Sequence, residues 1–361
     1  MESRALVGVL TWRSGKRFAE PDYLRRLALA GAGLGVQVFL FSHQDVFVRE
    51  RKIRGFVPHG RGDWKVQWFP WPKVVIDRYR RRVPEYMKLR NSELFFFANS
   101  PFGKKWKVTQ VLSRDERVKR WIPQTTLFAP GRVLAMLRQH QLVYLKPGNG
   151  TGGKSILRIE KAGGAFKLTG RNRNLAVRHA RLSQATQVER WVGTWVRTER
   201  LKNGNFIVQQ GIDLASPTNR VADVRLLIQK DENGEWSVTG AGARVGVAGS
   251  ATSNLHNGGK AVPFTTFLRQ CFSEEQVREI FEECVRMAHE VVVVLEERYG
   301  RMMEFGLDIG VDRTGRPWLL EVNPKPGRDV FLQMGDKATY EQAIRRPIEY
   351  AKYLLREKNG A

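Results

Sequence analysis

Two short apolar runs joined by a turn, within Met303 to Pro324, constrain this chain more than any other stretch of it. The first reads Glu304-Phe305-Gly306-Leu307-Asp308-Ile309-Gly310-Val311 and the second Pro317-Trp318-Leu319-Leu320-Glu321-Val322-Asn323, with Asp312 to Gly315 as the turn between antiparallel strands. Successive side chains of a strand point to opposite faces, so Asp308 opposes Ile309, and Glu321 shares a face with Asn323. A register that sets Asp308 beside them brings three oxygen-bearing side chains to one spot. Carboxylates flanked by apolar residues are costly to bury unless a cation neutralises them. Hard oxygen donors suit Mg²⁺, with Mn²⁺ as the alternative, and Mg²⁺ normally keeps waters and bridges nucleotide phosphates. The plain alternative is a hairpin whose acids face solvent.

A second stretch carries complementary chemistry. Tyr144-Leu145-Lys146 is an apolar strand that delivers a lysine, and Pro147-Gly148-Asn149-Gly150-Thr151-Gly152-Gly153-Lys154-Ser155 follows. Glycine lets backbone N–H groups approach phosphate oxygens and form an anion-binding concavity. The spacing is not that of a Walker A loop, and a strand rather than a helix is expected next. Taken alone, such a loop is equally a structural turn.

Charge adds a statement about partners. The 361 residues include 61 Lys plus Arg against 36 Asp plus Glu, a formal net charge of +25. A surface of that sign attracts polyanions and steers acidic ligands. Nucleic acid, an anionic envelope polymer, an acidic peptide, or a solubilising surface without a dedicated ligand all satisfy it. Only two cysteines, Cys271 and Cys284, are present, which excludes a disulfide scaffold. Cys284 falls in a helical apolar stripe and reads as a small core side chain. Runs such as Val291 to Leu295 fall far short of the roughly 20 apolar residues a membrane helix requires. Met1 to Arg4 carries no secretory signature, so a cytoplasmic location is expected.

Along the chain, Ala5 to Leu10, a helix from Pro21 to about Gly33 and Val36 to Phe41 read as a βαβ unit, with Val74 to Asp77 as a third strand. Gly55 to Pro72, rich in Gly, Pro and Trp, reads as loop. The run Arg78 to Arg82 reads first as a solvated face and second as a phosphate contact. Helices are expected over Lys104 to Val118 and Pro130 to His140, and a strand over Leu142 to Lys146. A hairpin of Ser155 to Glu160 with Phe166 to Thr169 turns at Gly163-Gly164. Leu175 to Arg200 reads as helix, and Phe206 to Gln209, Val221 to Gln229 and Trp236 to Val247 as strands. Ser273 and Gln276 form a capping box for a long helix over Glu274 to Arg298, where Val277, Ile280, Phe281, Cys284, Val285, Ala288, Val291 and Leu295 make one stripe. This pattern predicts an α+β fold behind an α/β βαβ unit, divided near residues 1–100, 101–208 and 209–361.

Together, the acid hairpin and the glycine loop resemble the ATP-grasp superfamily. Asp308 and Glu321 are 13 apart, and Glu321 and Asn323 are 2 apart, as in its D-alanine ligase-like members. The wider chain looks like the YheC/YheD group of spore-coat-associated ATP-grasp proteins. The stretches that carry the likeness are Ile207-Val208-Gln209-Gln210-Gly211-Ile212, Asp223-Val224-Arg225, Ser253-Asn254-Leu255-His256-Asn257-Gly258-Gly259 and Glu321-Val322-Asn323-Pro324-Lys325-Pro326-Gly327. The resemblance implies two α+β subdomains clasping ATP, with Lys105 and Lys146 on the phosphates; Lys104 and Lys107 compete with Lys105. It implies a flap at Gly148, Asn149, Gly150, Thr151, Gly152 and Gly153, and an adenine hinge at Gln209, Gln210, Gly211 and Ile212, with Asp213 toward the ribose. Asp308, Glu321 and Asn323 would bind two Mg²⁺, and Asn254, His256, Gly258 and Gly259 would form the acceptor-side loop. Relatives often carry an arginine two positions before the metal-binding aspartate. Here that position is Gly306, so Arg225 and above all Arg244 are expected to stabilise charge on the transferred group.

The activity so implied is an ATP- and Mg²⁺-dependent carboxylate–amine ligase that works through an acyl phosphate. The net charge points to an acidic amino acid, peptide or polymer as its carboxylate substrate, joined to an amine acceptor. The alternatives are a non-catalytic, nucleotide-binding protein of the spore coat and a basic nucleic-acid binder. The second of these leaves the acid cluster unexplained and lacks any RRM, zinc-finger or homeodomain signature.

Overall fold

A computed structural model describes residues 5–150, 152–199, 201, 205–217, 220–247, 255 and 258–360. Among the described residues, three large β-sheets follow one another along the chain, beside a small ribbon of Arg13–Ser14 with Arg17–Phe18. In the first, β1 (Ala5–Leu10) pairs in parallel with β2 (Val36–Phe41), reached through helix α1 (Pro21–Gly33). The hairpin β3 (Lys52–His59) and β4 (Asp63–Pro70) pairs with β2, and β5 (Val74–Asp77) pairs with β1 on its other side. The stretch expected as loop is therefore mostly hairpin. Its glycine misleads because Gly55 is a packing residue, not a turn. A Cβ there would lie 2.4 Å from the ring of Phe69 and 2.6 Å from that of Phe39, and those rings stack at 4.1 Å.

The second sheet is antiparallel throughout. Helix α2 (Lys105–Arg114) leads through β6 (Thr125–Leu127) and α3 (Arg132–Gln139) into β7 (Leu142–Pro147), β8 (Ile156–Ala162), β9 (Ala165–Arg171) and β10 (Val177–Leu182). Helix α4 (Ala185–Glu199) and β11 (Phe206–Gln210) complete it, in the order β10-β9-β8-β7-β11-β6. The stretch expected as one helix from Leu175 thus begins as the edge strand β10. Its small apolar contribution, Ala180 and Leu182 packed on the core with charged residues between, leaves little periodicity to read. One face of this sheet meets α3 and α4 through Leu145, Leu157, Ile159, Val188, Val192 and Trp195.

The third sheet, in the order β14-β13-β12-β15-β16, uses β12 (Ala222–Lys230), β13 (Trp236–Val245), β14 (Lys260–Pro263), β15 (Glu304–Val311) and β16 (Pro317–Asn323). Helix α5 (Glu274–Tyr299) covers one face. Its capping box is present, with the Ser273 amide donating to Gln276 Oε1 at 2.9 Å and the Gln276 amide to Ser273 Oγ at 3.3 Å. Of the expected stripe, Phe281 is exposed, while Met287, Val292 and Val294 join the buried face. By packing, Val108 and Leu112 of α2 belong to this third core. Helix α6 (Lys337–Gly360) returns to the first sheet, where Ile344, Ile348 and Leu355 join Val7, Val38 and Leu27 of α1 in one core. Among the described residues no helix is long and apolar enough to cross a membrane.

Candidate active site

Strand β15 is buried along its whole length and shows two chemistries. Phe305, Leu307, Ile309 and Val311 enter the core beneath α5. The opposite face carries Glu304, Gly306, Asp308 and Gly310. Register sets Asp308 across from Arg225 on β12 and from Glu321 on β16, and Gly306 across from Asn323. A bulge at Asp308/Ile309 decides this arrangement. Val311 pairs with Pro317 and Ile309 with Leu319, so unbroken pairing would have put Leu320 opposite Asp308; the extra residue substitutes Glu321.

Asp308 is charge-balanced where it sits. Its Oδ1 accepts from Arg225 Nε at 2.6 Å and its Oδ2 lies 2.9 Å from Arg244 Nη2. Arg244 also pairs with Asp223. Burial pushes the Asp308 carboxyl up, but the guanidinium groups of Arg225 and Arg244 outweigh it and hold the group down to about 2. Arg225 occupies the space above Gly306: its Nη1 lies 3.3 Å from where a Cβ would stand. Both arginines therefore reach Asp308, and it is Arg225, not Arg244, that fills the room left by the glycine. Asn323 Nδ2 lies 3.5 Å from Asp308 Oδ2, and a flip of the amide would present Oδ1 instead.

These residues form one wall of a cleft of about 760 Å³. Lys146 enters from β7 on the facing sheet, and Lys105 from the first turn of α2. Lys105 Nζ donates to Glu321 Oε1 and to Gly150 O, each at 2.6 Å, tying the glycine loop to the acid hairpin. Lys104 and Lys107 are exposed and do not line the cleft. Gly148, Gly150, Gly152 and Gly153 line it, and Gly152 and Gly153 hold φ of +69° and +70°, a region open to glycine at little cost. Gln209, Gln210 and Ile212 line the far end, with Ile156, Ile207, Leu214 and Leu319 adding apolar walls. Gln209 Nε2 is held by Thr125 Oγ1 at 3.0 Å.

Some expected residues are not brought together. Asn149 does not line the cleft. Gly211 is pressed against Leu142, where a Cβ would lie 2.2 Å from Leu142 Cγ. Asp213 pairs at the surface with Arg313. Gly258 lines a separate shallow pocket with Val247 and Lys260, and Gly259 lines neither. Thr151, Asn254 and His256 lie outside the described residues. Conversely, the cleft also takes in groups from the first sheet and from the segment after β16 that were not assigned to it. Arg80 lines the cleft, with Tyr23 and Glu20 from the start of α1 and Lys325 and Arg328 from the segment after β16. Arg78, expected on a solvated face, is buried instead, paired with Glu304 at 2.9 Å and with Glu20 at 3.0 Å. The one available signal was the crowding of basic residues at Arg78 to Arg82 and Lys325 to Arg328.

The donor set fits a nucleotide and a hard divalent ion. The Lys146 side chain faces the cleft, and its ammonium has no hydrogen-bond partner among the described residues. Burial depresses its pKa, Glu321 and Asp308 pull it back up, and Lys105 pushes it down. A cation so placed is short of an anion, which phosphate oxygens would supply. Two carboxylates and an amide oxygen suit Mg²⁺ once Lys105 leaves Glu321. No cluster of three or more His, Cys, Asp and Glu is poised for a metal among the described residues, so an ion here would lean on Asn323 and on phosphate oxygens.

Two sheets clasping a cleft, a lysine and glycine loop on one and an Asp with a Glu-x-Asn on the other, define the ATP-grasp class. The chain is a member of the YheC/D like ATP-grasp family, whose model matches residues 94–354. It is 28% identical over 335 residues to the endospore coat-associated protein YheD of Bacillus subtilis (strain 168), covering 89% of this chain and 71% of that one. To YheC of the same organism it is 24% identical, covering 97% of both. Among solved structures it resembles D-cycloserine synthetase DcsG, with a TM-score of 0.52 at 15% identity, covering 94% of this chain and 99% of that one. It likewise resembles the D-alanine-D-alanine ligase from Coxiella burnetii, with a TM-score of 0.52 at 10% identity, covering 98% and 97%.

Proposed function

We propose that the cleft is the active site of an ATP- and Mg²⁺-dependent ligase that joins a carboxylate to an amine. The observation that carries this reading is the meeting of Asp308, Glu321 and Asn323 with Lys105 and Lys146 beneath one glycine loop. ATP would supply the phosphoryl group that activates the carboxylate, and Mg²⁺ the charge that shields it. Asp308, Glu321 and Asn323 would hold the metal, and Lys146 and Lys105 the phosphates. Arg225 and Arg244, fixed by Asp308 and Asp223, would face the negative charge that builds on the reacting oxygens. The loop from Gly148 to Gly153 would keep water from the activated carboxylate. Arg80, Lys325 and Tyr23 also line the cleft, but Arg80 is paired with Glu20 and Lys325 with Asp77, so the preference for an acidic substrate rests on the net charge of +25. The names of its relatives make spore-coat association the proposed setting.

The test is ADP release with Mg²⁺ across a panel of amino acids and acidic peptides, with products identified by mass. Release dependent on an added acid and amine is expected. Glu321→Ala should lower it by about a hundredfold or more while leaving the circular dichroism unchanged. Full activity in that variant rejects the metal assignment. Nucleotide binding without turnover on any acid would favour the non-catalytic coat protein.

A further inference from the structure

The nucleotide-facing side of the second sheet extends well beyond the cleft. Tyr144, Lys146, Ile156, Ile207 and Gln209 line the cleft, which identifies that face. Cross-strand register carries it outward, because directly paired residues share a face. Tyr144 pairs with Arg158, Arg158 with Thr169, and Thr169 with His179. In the next row Glu160 pairs with Lys167 and Lys167 with Arg181; in the row beyond Thr169, Ile156 pairs with Arg171 and Arg171 with Val177. Five basic or titratable side chains therefore continue the wall of the cleft: Arg158, Lys167, Arg171, His179 and Arg181.

The acid within these rows is Glu160, already paired with Arg158 at 3.1 Å. Lys167, His179 and Arg181 are exposed, and Arg171 is half-buried, its Nη1 enclosed and without a hydrogen-bond partner among the described residues. The opposite face cannot serve this purpose, since α3 and α4 cover it. At the end of the platform β10 is the edge of the sheet, with no strand beside it among the described residues. A free edge offers backbone N–H and C=O groups to an extended chain.

We propose that this platform docks an extended acidic polypeptide, one carboxylate of which reaches the cleft. Val177, His179 and Arg181 repeat at about 6.8 Å, two residues of a strand, which is also the repeat of alternate side chains in an extended peptide. Nucleic acid fits less well, because these rows beyond Tyr144 hold no Phe, Tyr or Trp on which bases could stack. The inference names the substrate class of the proposed ligase and rests on that reading for what happens in the cleft; docking itself needs no turnover.

The experiment is fluorescence anisotropy of a labelled oligoglutamate with the full chain, without nucleotide, at low and physiological salt. Lys167→Glu with Arg181→Glu should weaken binding by about tenfold or more. Arg278→Glu with Arg286→Glu, an equal charge change on the exposed side of α5, should alter it by about twofold or less. Should the first pair fail to fold, Lys167→Gln with Arg181→Gln should still weaken binding more than the α5 pair. Equal weakening by both pairs, no binding to the wild-type chain, or tighter binding of duplex nucleic acid through the same residues overturns the proposal. Docking without ADP release on any acid sinks the ligase and spares the platform. ADP release on small acids without docking does the reverse.

Discussion

Asp308 sits within 3 Å of two guanidinium groups, and its replacement by a neutral amide exposes what that arrangement costs. Arg244 retains Asp223, but Arg225 loses its carboxylate inside the protein. Asp308→Asn should lower the unfolding free energy by about 3 kcal/mol, the lower end of the cost of orphaning a buried charge, read from the urea midpoint. Because the folded carboxyl titrates near 2, below its ordinary range, its contribution is intact above about pH 4 and is lost as pH falls toward 2. Acid unfolding of Asp308→Asn should therefore be less steep across that interval. Lys146 has the opposite sign: burial lowers its pKa, and a bound triphosphate would raise it. At alkaline pH nucleotide binding should thus take up protons, and affinity should decline as pH rises through the lowered value. Calorimetry in buffers of different ionisation enthalpy checks this, and Lys146→Met should abolish the proton uptake. Asp308, Glu321, Asn323 and Lys146 were legible in the sequence because each is a polar group set among apolar neighbours. Tyr23 was not, and Arg80 and Lys325 showed only as members of basic runs, because tertiary packing carries them into the cleft.

Regular periodicity made α5 and its cap readable, and Ser273→Ala should cost about 1 kcal/mol through loss of the bond to the Gln276 amide, measurable as a lower melting temperature. Where an element departed from its period, reading failed. Gly55 looked like a breaker but makes room for two stacked rings. The bulge in β16 cannot be seen in the spacing of 13, which only the paired strands explain. Strand β10 hid because an edge with one partner needs few apolar residues, and that economy is what leaves His179 and Arg181 available on the platform.

Long-range charge pairs tie the first sheet to the third. Glu304, on the same face of β15 as Asp308, accepts from Arg78 at 2.9 Å and pairs with Arg328, while Gln229 donates to it at 3.0 Å. Both arginines stack over Tyr23, at 4.8 and 4.3 Å from the ring centroid. Glu304→Gln should destabilise the protein by about 3 kcal/mol, because the enclosed Arg328 loses its counter-charge while Arg78 keeps Glu20. Limited proteolysis should then cut first between Leu10 and Pro72, where the first sheet loses its anchor to β15. No local pattern could reveal the Arg78–Glu304 pair at the centre of this network, whose members lie 226 residues apart.

Helix α6 completes the core that β1 and α1 begin. During synthesis the apolar flank of the opening sheet must therefore wait for a segment made about three hundred residues later, on the order of a quarter of a minute to a minute at usual elongation speeds. Ribosomes making this protein expose a sticky surface for that whole interval, so the nascent chain has a built-in demand for chaperone shelter that the finished fold no longer shows.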